Sequence, residues 1–179
     1  MQQELETTRL NPEQFIAQFE QLKLQSLNRN FHLQVLSQPD SLTEAMDWFD
    51  QLYRPEIPLR TWIEFQTIFG EAFDNALSHA HAGLPAETPI DLEITILDQI
   101  LVLQIWDFGP GFDYKKHILR LDHEPSLMAE SGRGTSIMME LGDFFTYTPT
   151  SDRRNVFLIA KSFIAEGKGI PLVSASGAT

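Results

Sequence analysis

The fold is decided by residues 90–111, which read IDLEITILDQILVLQIWDFGPG. Apolar and polar residues alternate over 90–96, and this period of two predicts a strand with one buried face. The apolar run 100–106 predicts a second strand, and the short connection at 98–99 indicates an antiparallel hairpin. Asp107 then ends the second strand in a turn that contains two glycines. This stretch therefore predicts a hairpin whose last strand leads into an acidic turn.

The composition of the 179-residue chain excludes several classes of protein. Apolar residues make up 42%, which is enough for the core of a single domain of this length. The net charge of −12 argues against nonspecific binding to nucleic acid and against docking on anionic membranes. Without any cysteine, disulfides, thiolate metal sites and cysteine nucleophiles are excluded. Because no membrane-spanning run or secretory signal is recognisable, we expect a soluble cytoplasmic protein.

Working outward from the hairpin, periodicity predicts one further strand upstream and two downstream. These strands cover residues 31–35, 144–148 and 155–163. Helical spacing of apolar residues predicts helices that begin near residues 12, 41, 60 and 133. The second of these begins with a capping box, Ser41-Leu-Thr-Glu44. The order of the elements favours an α+β two-layer sandwich, in which helices cover one face of a mixed, mostly antiparallel sheet.

The pattern also suggests how the chain is organised. Residues 1–29 form an N-terminal extension with an amphipathic helix that begins at Asn11-Pro12, and we expect its apolar stripe to pack on the same chain. Residues 30–165 form the main domain. Residues 166–179 form a flexible tail, whose last part, 173–179, is small and polar.

Two glycine-containing turns are candidate binding sites. In Asp107-Phe-Gly109-Pro-Gly111, the glycines permit positive φ and close approach of a ligand to the backbone. Gly132-Arg-Gly-Thr135 opens a helix, where free amides and the helix dipole favour a phosphate. The alternatives are a tight turn and a flexible loop without a ligand. Neither turn matches the Walker A loop or the dinucleotide-binding fingerprint.

A third candidate is the polar face of the long helix predicted over residues 60–81. Glu71, Asn75 and His79 follow one another at intervals of four residues and share one face. A carboxylate there could accept a proton from a hydroxyl, and an amide oxygen could bind Mg²⁺. The alternative is an ordinary solvated face of an amphipathic helix.

Taken together and in this order, the three motifs resemble the ATP-binding fold shared by gyrase, histidine kinases and MutL, the GHKL superfamily with its Bergerat fold. Glu71–His79 is similar to the N box, Asp107–Gly111 to the first glycine box and Ser131–Ile137 to the second. The compact domain and the E-A-x-x-N-A-x-x-H pattern most resemble the bacterial anti-sigma factor serine/threonine kinases. The resemblance covers roughly residues 30–163.

The resemblance implies a role for each matching residue. Asp107 would accept a hydrogen bond from the adenine amino group, and Gly109 and Gly111 would let the base approach the backbone. Asn75 would hold Mg²⁺ against the phosphates of ATP, and Glu71 would take the proton from an incoming serine hydroxyl. The remaining nucleotide-binding residues would be His79, Gly132, Arg133, Gly134 and Thr135.

The resemblance also implies partners. The kinase would phosphorylate a serine or threonine of an anti-anti-sigma (STAS-type) antagonist, and the same surface would bind a sigma factor in alternation. A homodimer is compatible with the family. The alternatives are a non-catalytic, nucleotide-responsive binding module and a small hydrolytic ATPase of the same fold. The sequence departs from the family pattern at Glu130, where an arginine is common, and at Arg154-Asn155, where Gly-Thr is common.

Overall fold

The computed structural model describes residues 12–25, 29–97, 99–111 and 133–163. The helices are α1 (Pro12–Gln25), α2 (Ser41–Asp50), α3 (Leu59–Asp74) and α4 (Arg133–Leu141), and a π-helical segment (Asn75–Ala80) continues α3. The strands are β1 (Asn30–Leu36), β2 (Pro89–Ile96), β3 (Ile100–Asp107), β4 (Phe144–Pro149) and β5 (Asn155–Ser162). Within the described ranges, no helix combines the length and apolar character that crossing a membrane requires.

The five strands form one sheet in the order β1-β2-β3-β5-β4. The hairpin predicted from residues 90–107 is β2–β3, and Leu92 faces Ile105 in its register. All four strand pairs are antiparallel, so the parallel pairing that a mixed sheet would contain does not occur among the described strands. The predicted α+β fold class is confirmed.

The main core lies between one face of the sheet and helices α2 and α3. Phenylalanine side chains fill the helical layer, and Phe49 stacks on Trp62 with ring centroids 4.4 Å apart and touches Phe69 at 4.8 Å. Every second residue of the strands points into this layer, as Leu101 and Leu103 do. The core therefore fixes α3 against the middle of the sheet.

Helix α1 lies on the opposite face of the sheet, which we call the rear face. Phe15 and Phe19 are buried there against Val102, Leu158 and other apolar residues of the strands. The ring of Phe15 also stacks on Phe144 at 4.4 Å. The N-terminal helix thus packs on its own chain, but it covers a second face of a sheet that we expected to be covered on one face only.

Two local predictions were wrong. Ser41 does not cap α2, because the helix follows Asp40 without any side-chain cap and the Ser41 hydroxyl donates instead to the carbonyl oxygen of Leu36 at 2.5 Å. The helix predicted over residues 60–81 is not α-helical throughout, since its last turn is the π-helical segment. The predicted tail lies outside the described residues.

Candidate functional site

A cavity of about 340 Å³ opens beside the carboxyl end of α3, between the helices and the ends of β3, β4 and β5. Its volume falls within the range of small-molecule sites. The residues that line it are Ala72, Asn75, Ala76, His79, Ala80, Ile105, Asp107, Pro110, Gly111, Thr135, Met138, Tyr147 and Phe157. Most of these are apolar, and the polar ones converge from several elements. This combination of apolar walls with a few polar groups is typical of a small-molecule site.

Asp107 is the acidic group of the cavity and is only 2% exposed. It is the last residue of β3, so the strand directs its side chain to the same face as Ile105, toward the helices. One carboxylate oxygen, Oδ1, accepts from the backbone N–H of Gly109 at 2.8 Å. This bond closes the tight turn that the alternative interpretation proposed, and the carboxylate nevertheless faces the cavity.

Two side chains from neighbouring strands hold the same carboxylate. The Asn155 amide at the start of β5 donates to Oδ1 of Asp107 at 3.2 Å and to the carbonyl oxygen of Gly109 at 3.1 Å. The Tyr147 hydroxyl on β4 donates to Oδ1 at 3.1 Å and to Oδ2 at 3.0 Å. Burial and the charge of Asp107 raise the pKa of Tyr147, so its hydroxyl keeps its proton. Asn155 stands at one of the two departures from the family pattern, and it helps to hold the Asp107 carboxylate in place.

The glycines of the first turn serve two different purposes. Gly109 is needed for space, because a Cβ at this position would lie 2.7 Å from the carbonyl oxygen of Ala80. Gly111 is needed for its backbone, which has a φ of +80°. Gly111 lines the cavity, whereas Gly109 packs the turn against the π-helical segment.

The π-helical segment brings Asn75 and His79 to the cavity together with apolar neighbours. In a wider turn each residue advances less around the axis, and the backbone N–H of His81 donates to the carbonyl oxygen of Ala76 at 2.9 Å, five residues earlier. As a result Ala76 and Ala80 line the same cavity as the two polar residues. Such segments often occur at functional sites.

Glu71 lies next to the start of α4. A Cβ at Gly134 would overlap Oε2 of Glu71 and lie 3.2 Å from its Cδ, so any larger residue here would require the Glu71 side chain to shift. Thr135 follows and is buried in the cavity wall, whereas Arg133 is exposed at the first residue of the helix. Glu71 is therefore beside the helix terminus that was predicted to bind phosphate.

His81 is buried just behind the Asp107 turn. Its Nε2 accepts from the backbone N–H of Phe108 at 2.8 Å, and its Nδ1 lies 2.5 Å from Oγ of Ser37. The Ser37 hydroxyl donates to the carbonyl oxygen of Thr88 at 2.7 Å, so Nδ1 is the protonated nitrogen of a neutral imidazole. Burial lowers the pKa of His81, and the nearby charge of Asp107 opposes that shift.

The structure brings most of the predicted site residues together. Asn75, His79, Asp107, Gly111 and Thr135 line one cavity, and Glu71 and Gly134 touch each other beside it. Gly109 and Arg133 are not part of the cavity lining, since Gly109 supports the turn and Arg133 lies on the surface. Gly132 and Glu130 lie outside the described residues.

Three functional residues were missed by sequence reasoning: Tyr147, Asn155 as a partner of Asp107, and His81 as a support of the turn. The only signal for them was position, since Asn155 begins the last strand and His81 ends the helix. Among the described residues, no group of three or more His, Asp or Glu could hold a metal ion by itself. The amide of Asn75 could serve as one Mg²⁺ ligand, with the others supplied by phosphate and water.

Comparison with known proteins agrees with this geometry. Residues 35–161 match the family model described as the histidine kinase-like ATPase domain. A search of curated proteins gives no significant match. The match spans well over half of the chain and includes all three motifs and the strands that carry Asp107, Tyr147 and Asn155. The chain therefore belongs to the histidine kinase-like ATPase domain family.

Proposed function

We propose that this protein is an ATP-dependent serine/threonine kinase of the anti-sigma type, which phosphorylates an anti-anti-sigma antagonist. The observation that carries the proposal is the convergence of Asn75, Asp107 and Thr135 on one cavity, with Glu71 against the first turn of α4. The family supports ATP as the co-substrate. The compact domain and the E-A-x-x-N-A-x-x-H motif support the anti-sigma branch.

The residues present fit a nucleotide. Ile105, Met138 and Phe157 give the cavity apolar walls for a base, and the Asp107 carboxylate offers an acceptor at its polar end. The amino end of α4 offers backbone amides and the positive end of its dipole to phosphate. Arg133 adds a cation there, which matters because the chain as a whole carries a charge of −12.

The chemistry assigned to the protein is positioning and proton transfer. The oxygen of the serine hydroxyl forms a bond to the γ-phosphorus of ATP, the bond from that phosphorus to the bridging oxygen breaks, and ADP leaves. Glu71 accepts the hydroxyl proton, as a general base within reach of the phosphate-binding helix terminus. Asn75 would hold Mg²⁺, which neutralises charge on the phosphates.

Nucleotide binding is tested by thermal unfolding with and without Mg-ATP. At 100 times its Kd, a ligand stabilises the folded state by about 2.7 kcal/mol, which corresponds to a rise in Tm of about 5 to 10 °C for a chain of this size. Asp107→Asn should abolish the rise, because the amide oxygen takes the bonds from Gly109 and Asn155 and its NH₂ then faces the base. An unchanged Tm for the wild-type protein would refute nucleotide binding.

Catalysis is tested by transfer of labelled γ-phosphate to STAS-type proteins from the same genome, each purified separately. We expect one of them to be labelled on serine or threonine by the wild-type protein, and Glu71→Gln to bind ATP but lose roughly 10² to 10⁴ in rate. Glu44→Gln changes an exposed carboxylate of α2 in the same way and should keep the wild-type rate. Binding of ATP without any transfer would instead identify a nucleotide-responsive binding module, and release of free phosphate alone would identify a hydrolytic ATPase.

A further inference from the structure

The Tyr147 hydroxyl occupies a position that the proposed nucleotide site does not yet explain. It lines the cavity and lies 3.0 Å from Oδ2 of Asp107, the carboxylate oxygen that takes neither the Gly109 nor the Asn155 hydrogen bond. An acceptor and a hydroxyl therefore stand side by side at the polar end of an otherwise apolar cavity. Strand β4 supplies this hydroxyl from the edge of the sheet, since the described part of β4 pairs only with β5.

We infer that Tyr147 is a base-specificity residue, whose hydroxyl donates a hydrogen bond to N1 of adenine while Asp107 accepts one from the neighbouring amino group. This inference rests on the proposed nucleotide site and adds a second contact to it. The Watson–Crick edge of adenine presents a donor, the amino group, and an acceptor, N1, which are bonded to the same ring carbon. Oδ2 of Asp107 and the Tyr147 hydroxyl present the complementary acceptor and donor at hydrogen-bond distance from each other.

When adenine binds in this way, hydrogen bonds of Asp107 and Tyr147 are exchanged for hydrogen bonds to the base, and no buried polar group is left without a partner. Without a base, the Tyr147 proton is directed at Asp107. When the hydroxyl turns to N1, Oδ1 of Asp107 keeps its bonds from Gly109 and Asn155, and the base amino group replaces tyrosine at Oδ2. Because a lost partner in a buried site costs more than a formed bond gains, such a balanced exchange favours adenine over any base that cannot complete it.

The protonation state of the tyrosine suits this role. A donor to N1 must carry its proton, and a tyrosinate beside the Asp107 carboxylate would be repelled by it. The pKa of Tyr147 is raised by burial and by Asp107, so the hydroxyl stays protonated over the working pH range.

The experiment compares ATP with 1-deaza-ATP and 7-deaza-ATP, which lack N1 and N7 respectively, for wild type and Tyr147→Phe. We expect the wild-type protein to bind ATP about five- to tenfold more tightly than 1-deaza-ATP, the effect of one hydrogen bond, and to bind 7-deaza-ATP as tightly as ATP. Tyr147→Phe should bind ATP and 1-deaza-ATP equally. Tyr53→Phe removes a hydroxyl next to Ile57, remote from the cavity lining, and should keep the wild-type preference.

The other outcomes overturn the inference in distinct ways. If Tyr147→Phe binds both nucleotides more tightly and keeps the preference for ATP, the hydroxyl competes for Asp107 and does not read the base. If Tyr147→Phe weakens the binding of ATP and of 1-deaza-ATP by the same factor, the hydroxyl only orients the Asp107 carboxylate. If the wild-type protein prefers ATP to 7-deaza-ATP and Tyr147→Phe loses that preference, the hydroxyl contacts N7 and not N1. Failure of the wild-type protein to bind ATP at all would refute the proposed function itself. If ATP binding requires Asp107, but Tyr147→Phe keeps the preference for ATP over 1-deaza-ATP, this inference alone is refuted.

Discussion

Gly134 shows how the absence of a side chain can leave room for the proposed general base. The Glu71 carboxylate occupies the space that any Cβ at residue 134 would need. An alanine at residue 134 would therefore force the end of the Glu71 side chain to move. A glycine-rich helix start of this kind allows the acid and the helix amides to share one small volume.

We expect Gly134→Ala to separate catalysis from binding. The added methyl group would displace Glu71, and a shift of about 1 Å in a catalytic group costs roughly 10²-fold in rate. The rate of phosphate transfer should therefore fall further than the affinity for Mg-ATP. Parallel measurements of transfer and of equilibrium binding check this expectation.

Gly70→Ala is the matched control on α3. A Cβ there meets only Sδ of Met46 at 4.0 Å, so the methyl group fits without displacement. Alanine in a helix interior should raise the free energy of unfolding by about 0.5 to 1 kcal/mol and leave transfer unchanged. Equal losses of transfer in the two variants would mean that crowding of Glu71 is not the cause.

At the level of single residues, the sequence revealed the groups whose local pattern is distinctive. Asp107 and its glycines form a turn signature within five residues, and that signature was sufficient to predict the turn. Tyr147 and Asn155 are 40 and 48 residues away from Asp107, and their contacts depend on strand register. Register is set by the whole sheet, so no local pattern could show which side chains would meet there.

Among the elements, helix α1 accounts for the largest difference between the predicted architecture and the observed one. It turns a two-layer sandwich into a sheet with a second apolar cluster on its rear face, centred on Phe15 and Phe19. Lys23 near its end also pairs with Glu93 of β2 at 2.5 Å. The apolar stripe of α1 was visible in the sequence, but nothing in that stripe indicated which face of the sheet it would cover.

We expect Phe19→Ala to destabilise the protein as strongly as a change in the main core. Phe19 is 1% exposed, and truncation of a fully buried phenylalanine costs about 3 to 5 kcal/mol. Denaturation by urea measures this loss. Glu20→Ala, at the exposed neighbouring position, should change the free energy of unfolding by less than about 0.5 kcal/mol. A similar small effect for Phe19→Ala would mean that α1 contributes little to the fold.

The π-helical segment that continues α3 explains why regular α-helical spacing gave an incomplete account of the site. A constant step of 100° per residue spreads Asn75, Ala76, His79 and Ala80 over about 140° of the helix surface. In the π-helical segment the step is smaller, and all four residues line one cavity. Hydrogen bonds to the residue five positions earlier have no signature in amino-acid spacing, so this feature was beyond sequence reasoning.

For the whole molecule, His81 connects three separate parts of the chain. It joins the loop after β1 through Ser37, the end of the helical layer, and the Asp107 turn through Phe108. The bond from the Phe108 N–H requires the neutral imidazole, because Nε2 acts as its acceptor, whereas the Nδ1–H that faces Ser37 is present in either protonation state. The folded state therefore resists protonation of His81.

We expect stability to fall as the pH drops below the ordinary pKa of histidine. The pKa of His81 is lowered in the folded state, so the unfolded chain takes up the proton first, and the contribution that is complete above about pH 6.5 is lost as the pH falls toward the lowered value. Urea midpoints at about pH 7.5 and about pH 5.5 measure the loss.

His81→Gln should show a smaller decrease between the two pH values, and His79→Gln, which removes an exposed imidazole, should keep the wild-type decrease. The same decrease in all three proteins would assign the pH dependence to other groups.

The polar end of the cavity takes one side chain from each of three neighbouring strands, and two of those strands come after residue 143. A ribosome makes the chain from the amino terminus, so the carboxylate at 107 emerges long before the two side chains that hold it. A nascent polypeptide can thus contain its first three strands and helices α1 to α3 while it still lacks both side chains that hold this carboxylate. The hydrogen bonds that hold Asp107 are therefore completed only when β4 and β5 have been made and have joined the sheet.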